Sequence, residues 1–506
     1  MSSERARESR WTAAWCAVAL AFPWSNAFMS VAAGCLGLAA ILDLVKPVRR
    51  TAATGDARTS GLALAGLVLL SGLSSLWSED AALAWNDVRI KLPLLVGGLV
   101  LLAARGGAIL SEGSVRRVVH CAAFSAALAT AALIVLDLAN GAPFGGRPSS
   151  VFISHIRLGL WWAVLLPWAV RWLPRSMAWL FVGLAFVTWF WTESLSGMLC
   201  GLLTAVWWVP ALFSDAKATW PGGGSAALRV GATGAGLVLA ALALRSALPD
   251  AYPDAAALPV SSAEGNAYVH KLDRRVTENG HFVWTEIAWG ELAESWKDRH
   301  ALPFDQVQAR LIRFLASKGL SKDRSGVQSL SQEEIDAIAG GATSVVEWNG
   351  LGWSRRWNRM KFNWGQWLDG MRTSDASILA RSVYQQTAMD AVARMPWPAH
   401  LLGVGSGGSR ALMSSAYADC QPRWPEDMRR RPHNQWLSLW IQLGLVGCAL
   451  LILACRSAFR RPWGTAGVVI LLSSFLFEDT LETQAGVTLA VWVLSLPAFI
   501  RADRKH

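Results

Sequence analysis

The chain has 506 residues, 53% of them hydrophobic and only 16% charged, with 29 tryptophans and a formal net charge of +11. Its apolar residues fall in long blocks with few amphipathic stripes, which argues against an ordinary soluble domain. The seven cysteines show neither a disulfide framework nor metal-ligand spacing. Nucleic-acid binding is not the meaning of the charge: residues 250–432 carry 22 basic and 21 acidic side chains, so the positive excess sits beside the apolar blocks, where anionic lipid attracts it.

A hydrocarbon core about 30 Å thick needs roughly 20 apolar helical residues to cross it. Blocks near that length predict spans at about 11–22, 26–45, 60–77, 90–104, 118–138, 151–170, 176–192, 194–213, 227–247, 435–455, 463–477 and 485–500, twelve in all. The first two nearly meet at Pro23-Trp24 and the seventh and eighth at Thr192-Glu193-Ser194, so a re-entrant pair would change the count. The arginines Arg5, Arg7 and Arg10 ahead of Trp11 suit an uncleaved first span. With the N-terminus inside, most loop cations, Lys46, Arg49, Arg116, Arg117, Arg171, Arg456 and Arg460 among them, fall on the inner side. Arg89, Lys91, Arg147, Arg157 and Arg245 remain outside. The expected fold class is an all-α polytopic membrane protein: residues 1–247 with about nine spans, 248–433 as one large outer segment, and 434–506 with about three spans.

Pro249, Pro253 and Pro259 mark a linker into the outer segment. Within it, Asp305 to Lys318 places Val307, Leu311, Phe314 and Leu315 on one helical face. Ser331-Gln332-Glu333-Glu334 has capping-box spacing and opens a short helix that ends at Gly340-Gly341. A further helix runs from about Ser374 or Asp375 to Met395, where Pro396 stops it. The segment is therefore mainly helical. Gly403-Val404-Gly405-Ser406-Gly407-Gly408 fits G-x-G-x-x-G but lacks the preceding strand that a dinucleotide site requires, so a glycine turn packed against the membrane helices is the better reading.

Cations on an outer membrane face run against the usual bias and need a reason. Lys91 and Arg157 stand at the starts of spans, Arg147 in the loop before one, and His155 beside Arg157. Pairing with Glu79, Asp80, Asp87 or Glu193 is one reason, and a cluster that faces an anionic lipid-linked substrate is the other. Arg429-Arg430-Arg431-Pro432-His433-Asn434 then leads into the apolar run from Leu437. His433 is either a hydrogen-bonded interfacial anchor or a base, and neighbouring guanidinium charge favours the neutral imidazole that a general base needs.

These pieces resemble the O-antigen ligase group, which includes lipid-A-core O-antigen ligases, Wzy-like polymerases and bacterial protein O-oligosaccharyltransferases. The matching stretches are Ser154-His155-Ile156-Arg157-Leu158, Gly265-Asn266-Ala267-Tyr268-Val269-His270, Glu278-Asn279-Gly280, Arg381 ahead of Leu402-Gly403-Val404-Gly405, Arg431-Pro432-His433-Asn434-Gln435-Trp436-Leu437 with Gly444-Leu445-Val446-Gly447, and Glu478-Asp479-Thr480-Leu481-Glu482. The resemblance implies a GT-C-like bundle with a periplasmic insertion in the bacterial inner membrane, both termini being cytoplasmic. It implies a metal-independent glycosyltransferase with no cofactor, a polyprenyl-diphosphate-linked glycan as donor, and a lipid-A core, glycan or protein hydroxyl as acceptor. His433 is the implied base and Arg381 the implied diphosphate ligand. Lys91, Arg157, Arg147 and Arg431 are further candidates for that charge, Asn434 for orienting the imidazole or a sugar hydroxyl, and Glu482 for holding the acceptor or pairing with an arginine.

One departure stands out. Where the family has a Ser-x-Arg-Ser-Gly-like turn, this chain reads Ser194-Leu195-Ser196-Gly197, so Arg147 or Arg157 replaces the missing charge or activity is altered. A transporter is the alternative from another class. Its charges would gather near the bilayer midplane, whereas here they gather at the ends of the spans.

Overall fold

The computed structural model describes residues 2–45, 55–104, 109–140, 152–205, 251–350, 352–371, 377–420 and 429–500, with isolated positions at 234, 242 and 426. The chain is mostly helical and divides into two compact units. One holds residues 1–143, 147–237 and 383–506, the other 144–146 and 238–382. The expected span at 227–247 lies outside the described residues apart from positions 234 and 242, and so does Arg147.

The first unit opens with α1 (Ser2–Ala21) and α2 (Asn26–Val45). The first helix begins well before its apolar run because Arg7, Arg10 and the Trp11 indole all reach the carboxylate of Asp43 on α2. Next come α3 (Gly55–Leu73), continued by a 3-10 turn at Ser74–Leu76, and α4 (Ala81–Ala103), whose start is set by Asp80 accepting from the Leu83 amide at 2.9 Å. Then follow α5 (Glu112–Ala139, capped by Ser111), α6 (His155–Trp172), α7 (Arg175–Trp191) and α8 (Leu195–Leu203). Capping by Asp80 and Ser111 satisfies amides that a helix end leaves open, which is why α4 and α5 start outside their apolar stretches.

Among the described residues, four helices, Asn26–Val45, Gly55–Leu76, Glu112–Ala139 and Gln435–Phe459, are long and apolar enough to cross a membrane. Their outward faces agree with that reading. Phe28, Val31, Leu38 and Ile41 on α2, and Phe124, Leu128, Val135 and Leu138 on α5, are all largely exposed. Water would penalise such stripes, and lipid would not. Inside, Trp161 packs edge-on to Trp492 at 5.0 Å and stacks on Phe22 at 4.2 Å, while Trp15 meets Trp492 at 5.8 Å. Many of the tryptophans thus serve as core packing.

The second unit has a core of its own. A two-residue hairpin joins β1 (Thr277–Glu278) to β2 (His281–Phe282), with Asn279 and Gly280 both at positive φ in its turn. Around it lie α9 (Trp289–Arg299), α10 (Phe304–Ser317), α11 (Gln332–Ala339) and α12 (Gly352–Leu368). Val307, Leu311, Phe314 and Leu315 of α10 are fully buried, and the Ser331–Glu334 capping box is formed at the head of α11. Glu278 receives Arg313 at 2.9 Å, and Arg275 bonds Asp369 at 3.2 Å.

The chain returns to the first unit along α13 (Ser377–Ala393), then α14 (Trp397–Leu402) and α15 (Ser409–Asp419). It ends in α16 (Gln435–Phe459), α17 (Pro462–Ser474) and α18 (Gln484–Ser495). Helix α16 breaks at Gly444 (φ 65°), which frees two carbonyls. Ile441 O accepts from the Val404 amide at 2.9 Å and Gln442 O from the Gly405 amide at 3.1 Å. The glycine turn therefore packs backbone to backbone on the break, and a Cβ at Gly403 or Gly444 would overlap the Gln442 or Leu401 carbonyl. Gly444→Ala is expected to destabilise the protein by on the order of 2–4 kcal/mol, through overlap and a left-handed φ together. Thermal unfolding in detergent reads this out, with Gly34→Ala, which meets open space, as the silent control.

Candidate functional site

The residues around the α16 start enclose a cavity of about 800 Å³, lined by α4, α6, α15, residues 429–433, α16 and the turn at 478–483. His433 lies in its wall with a left-handed backbone (φ 49°), a conformation that needs support in a non-glycine residue. Asp479 supplies it. One carboxylate oxygen accepts the His433 amide at 3.0 Å and the other the Ser438 hydroxyl at 2.6 Å. The Gln385 side chain donates to the His433 carbonyl at 3.4 Å and to Leu476 O at 3.0 Å, and the Tyr384 ring lies 5.6 Å from the imidazole.

Behind this wall runs a buried charge network. Lys91, fully enclosed on α4, gives its ammonium hydrogens to Asp87, to Glu482 at 3.1 Å and to Gln442 at 3.2 Å. Glu482 also accepts from Arg431 at 3.0 Å, from Gln442 at 3.2 Å and from Gln435 at 3.5 Å. Burial alone would raise the pKa of Glu482, which stands in the turn outside the spans. The charges of Lys91 and Arg431 outweigh burial and bring it down to about 2. The two glutamines do the remaining work of positioning, because Gln435 also accepts the Leu481 amide at 2.6 Å and so ties the turn to the helix start.

Of the residues singled out from sequence, His433, Arg431, Arg157 and Glu482 line this one cavity. Arg157 is buried at the head of α6 and donates to Thr483 at 3.2 Å, to Asp479 O at 3.2 Å and to Thr480 at 3.5 Å. It also lines a second cavity of about 820 Å³, between α2, α4 and α6, whose wall includes Ala27, Ala33, Pro93 and Val96. Lys91 stands behind the wall. The Asn434 side chain caps α16, accepting from the Trp436 and Leu437 amides at 3.0 and 3.2 Å and donating to Leu476 O at 3.4 Å. Arg381 is half-buried on α13, in the portion assigned to the second unit. Arg147 lies outside the described residues.

Sequence reasoning missed Gln435, Gln442 and Ser438 as positioning groups, and Arg410 as a lining residue. The polar side chains at 435, 438 and 442 inside an apolar run were the available signal. They recur at helical spacing and so define one face. Ser196 is buried, and its neighbour Gly197 packs on the backbone of Gly159, two residues along α6 from Arg157.

The fold and cavity define a mostly helical membrane protein with a cationic, histidine-bearing site. Residues 327–452 match the family model described as O-Antigen ligase, a stretch that contains Arg381, Arg410, Arg431, His433, Asn434 and Gln442. The match covers about a quarter of the chain and supports an assignment to that family. No curated protein matches the chain.

Removing the buried cation should be costly. Lys91→Met leaves Asp87 and Glu482 enclosed without it, and a loss of roughly 3–5 kcal/mol is expected in detergent unfolding. The double change Lys91→Met with Glu482→Gln should recover part of that loss, since one uncompensated carboxylate is gone.

Proposed function

We propose that the protein transfers a glycan from a polyprenyl-diphosphate carrier to an acceptor hydroxyl at the periplasmic face of the bacterial inner membrane, as a metal-independent enzyme of GT-C type. The observation that carries this is the placing of His433 with Arg157 and Arg431 around one cavity, supported by the O-Antigen ligase family match over residues 327–452. The acceptor O–H proton passes to the His433 imidazole as the oxygen attacks the anomeric carbon. The bond from that carbon to the diphosphate oxygen breaks, and the leaving group takes the electron pair. Guanidinium groups of Arg157, Arg431 and Arg381 stabilise the growing charge, with Arg147 a further candidate. Lys91 and Glu482 act one step back, by fixing Arg431 and Gln442, and Asn434 by fixing the helix start behind His433.

The rest of the reading follows from the same assignment. Twelve spans, cytoplasmic termini and a periplasmic segment at about 248–433 give a donor in the outer leaflet direct access to the cavity. The small and apolar residues of the second cavity suit an isoprene chain whose diphosphate reaches Arg157. The acceptor is a lipid-A core, a second glycan or a protein hydroxyl.

The test uses purified protein, a defined polyprenyl-diphosphate glycan and each acceptor class in turn. His433→Ala should lower transfer by about 10²- to 10⁴-fold, as loss of a general base does, and EDTA should leave the wild-type rate unchanged. Transfer that survives His433→Ala, or anion efflux from proteoliposomes without transfer, would overturn the proposal.

A further inference from the structure

The outer part of the first cavity contains two arginines that the chemistry above does not use. Arg410 stands in the first turn of α15, and Arg430 is held by its backbone, whose carbonyl accepts from the buried Tyr417 hydroxyl at 2.8 Å. Both side chains are exposed, and among the described residues neither meets a carboxylate at ion-pair distance. The other charges of the wall are engaged. Arg431 pairs with Glu482 at 3.0 Å, Arg429 with Glu426 at 3.8 Å, Asp87 with Lys91, and Asp479 accepts from His433 and Ser438.

Exposed arginines on a convex surface are ordinarily just solvated. Here they line a concavity of about 800 Å³, where low-dielectric walls concentrate their field. The guanidinium fork matches phosphate or carboxylate oxygens in pairs, a geometry that an ammonium lacks. The same wall carries Ser414, Ser409, whose hydroxyl donates to Ser406 O at 3.0 Å, and Asn86, whose side-chain oxygen accepts from Arg89 at 2.8 Å; hydroxyl and amide groups of this kind pair with sugar hydroxyls.

We propose that this outer part is a subsite for an anionic sugar, a saccharide bearing phosphate or carboxylate, held by Arg410 and Arg430. The inference rests on the transferase reading for the saccharide and deepens it by naming the charge of the sugar that the cavity accepts. The anionic sugar belongs either to the donor glycan or to the acceptor.

Binding is tested first, on the full-length protein in detergent, by thermal protection with a phosphorylated disaccharide, its neutral parent and inorganic phosphate. The phosphorylated sugar should protect at concentrations where the other two do not, and the double variant Arg410→Ala, Arg430→Ala should weaken it by about tenfold or more. His433→Ala should bind like wild type, so the subsite can hold even if the assigned base is wrong. Arg410→Lys with Arg430→Lys, which keeps charge but loses the fork, should fall between. Equal protection by the neutral parent or by inorganic phosphate, or unchanged binding in the double alanine variant, would overturn the subsite. In transfer assays, a raised KM for acidic but not neutral acceptors assigns the sugar to the acceptor. The same split among donors assigns it to the donor, and a loss of kcat shared by all substrates would contradict the proposal.

Discussion

An ammonium group enclosed among apolar helices is tolerated only with its counter-charges in contact, and Lys91 therefore dictates where Asp87 and Glu482 must stand. That requirement joins α4 to the turn before α18. Because Glu482 has a second face, turned to Arg431, the same constraint extends to the segment that carries His433. The pair formed by Lys91 and Glu482 thus contributes less as net stability than as a fixed point: it sets which carboxylate is buried, which arginine reaches it, and which side of the wall is left for substrate.

The helix that carries Gln442, a partner of both members of that pair, is broken. A regular α16 would spend the carbonyls of Ile441 and Gln442 on its own ladder. With the break at Gly444, those carbonyls bind the glycine turn instead. Close approach of two backbones requires residues without a Cβ at both Gly403 and Gly444, so the two glycine motifs, far apart in the chain, form one structural element. Its consequence for the site is positional. The turn leads through Ser406 to Ser409 and Arg410, which line the same cavity as His433.

What could be read from the sequence was local. The buried face of α10 follows from helical periodicity, and the Ser331–Glu334 capping box from spacing alone. Asp87 and Lys91 are four apart on one helix, so their pairing was an available alternative to a substrate-facing lysine, and pairing of Glu482 with an arginine was another. The partners brought together by tertiary structure were not legible. Nothing in the neighbourhood of Gln442 announces Lys91, 351 positions away, and nothing near Ser438 announces Asp479. The helices extend beyond their apolar runs for a related reason. Hydropathy marks where the apolar run starts, whereas Asp80, Ser111 and Asp43 decide where the backbone and side chains first find partners.

Arginine is used differently near the cavity and away from it. Away from the cavity, Arg7 and Arg10 close on Asp43, and Arg456 and Arg460 close on Asp56, so these cations pin α1 to α2 and α3 to α16. Near the cavity, Arg431 pairs with Glu482, while Arg410 and Arg430 meet no carboxylate among the described residues. An arginine that meets no carboxylate keeps its whole fork of donors for an anionic ligand. Pinning needs the first arrangement and recognition of an anion needs the second. The cavity end supplies both, with Arg431 closed on Glu482 and Arg410 and Arg430 open, beside His433, whose left-handed backbone is held by the buried Asp479.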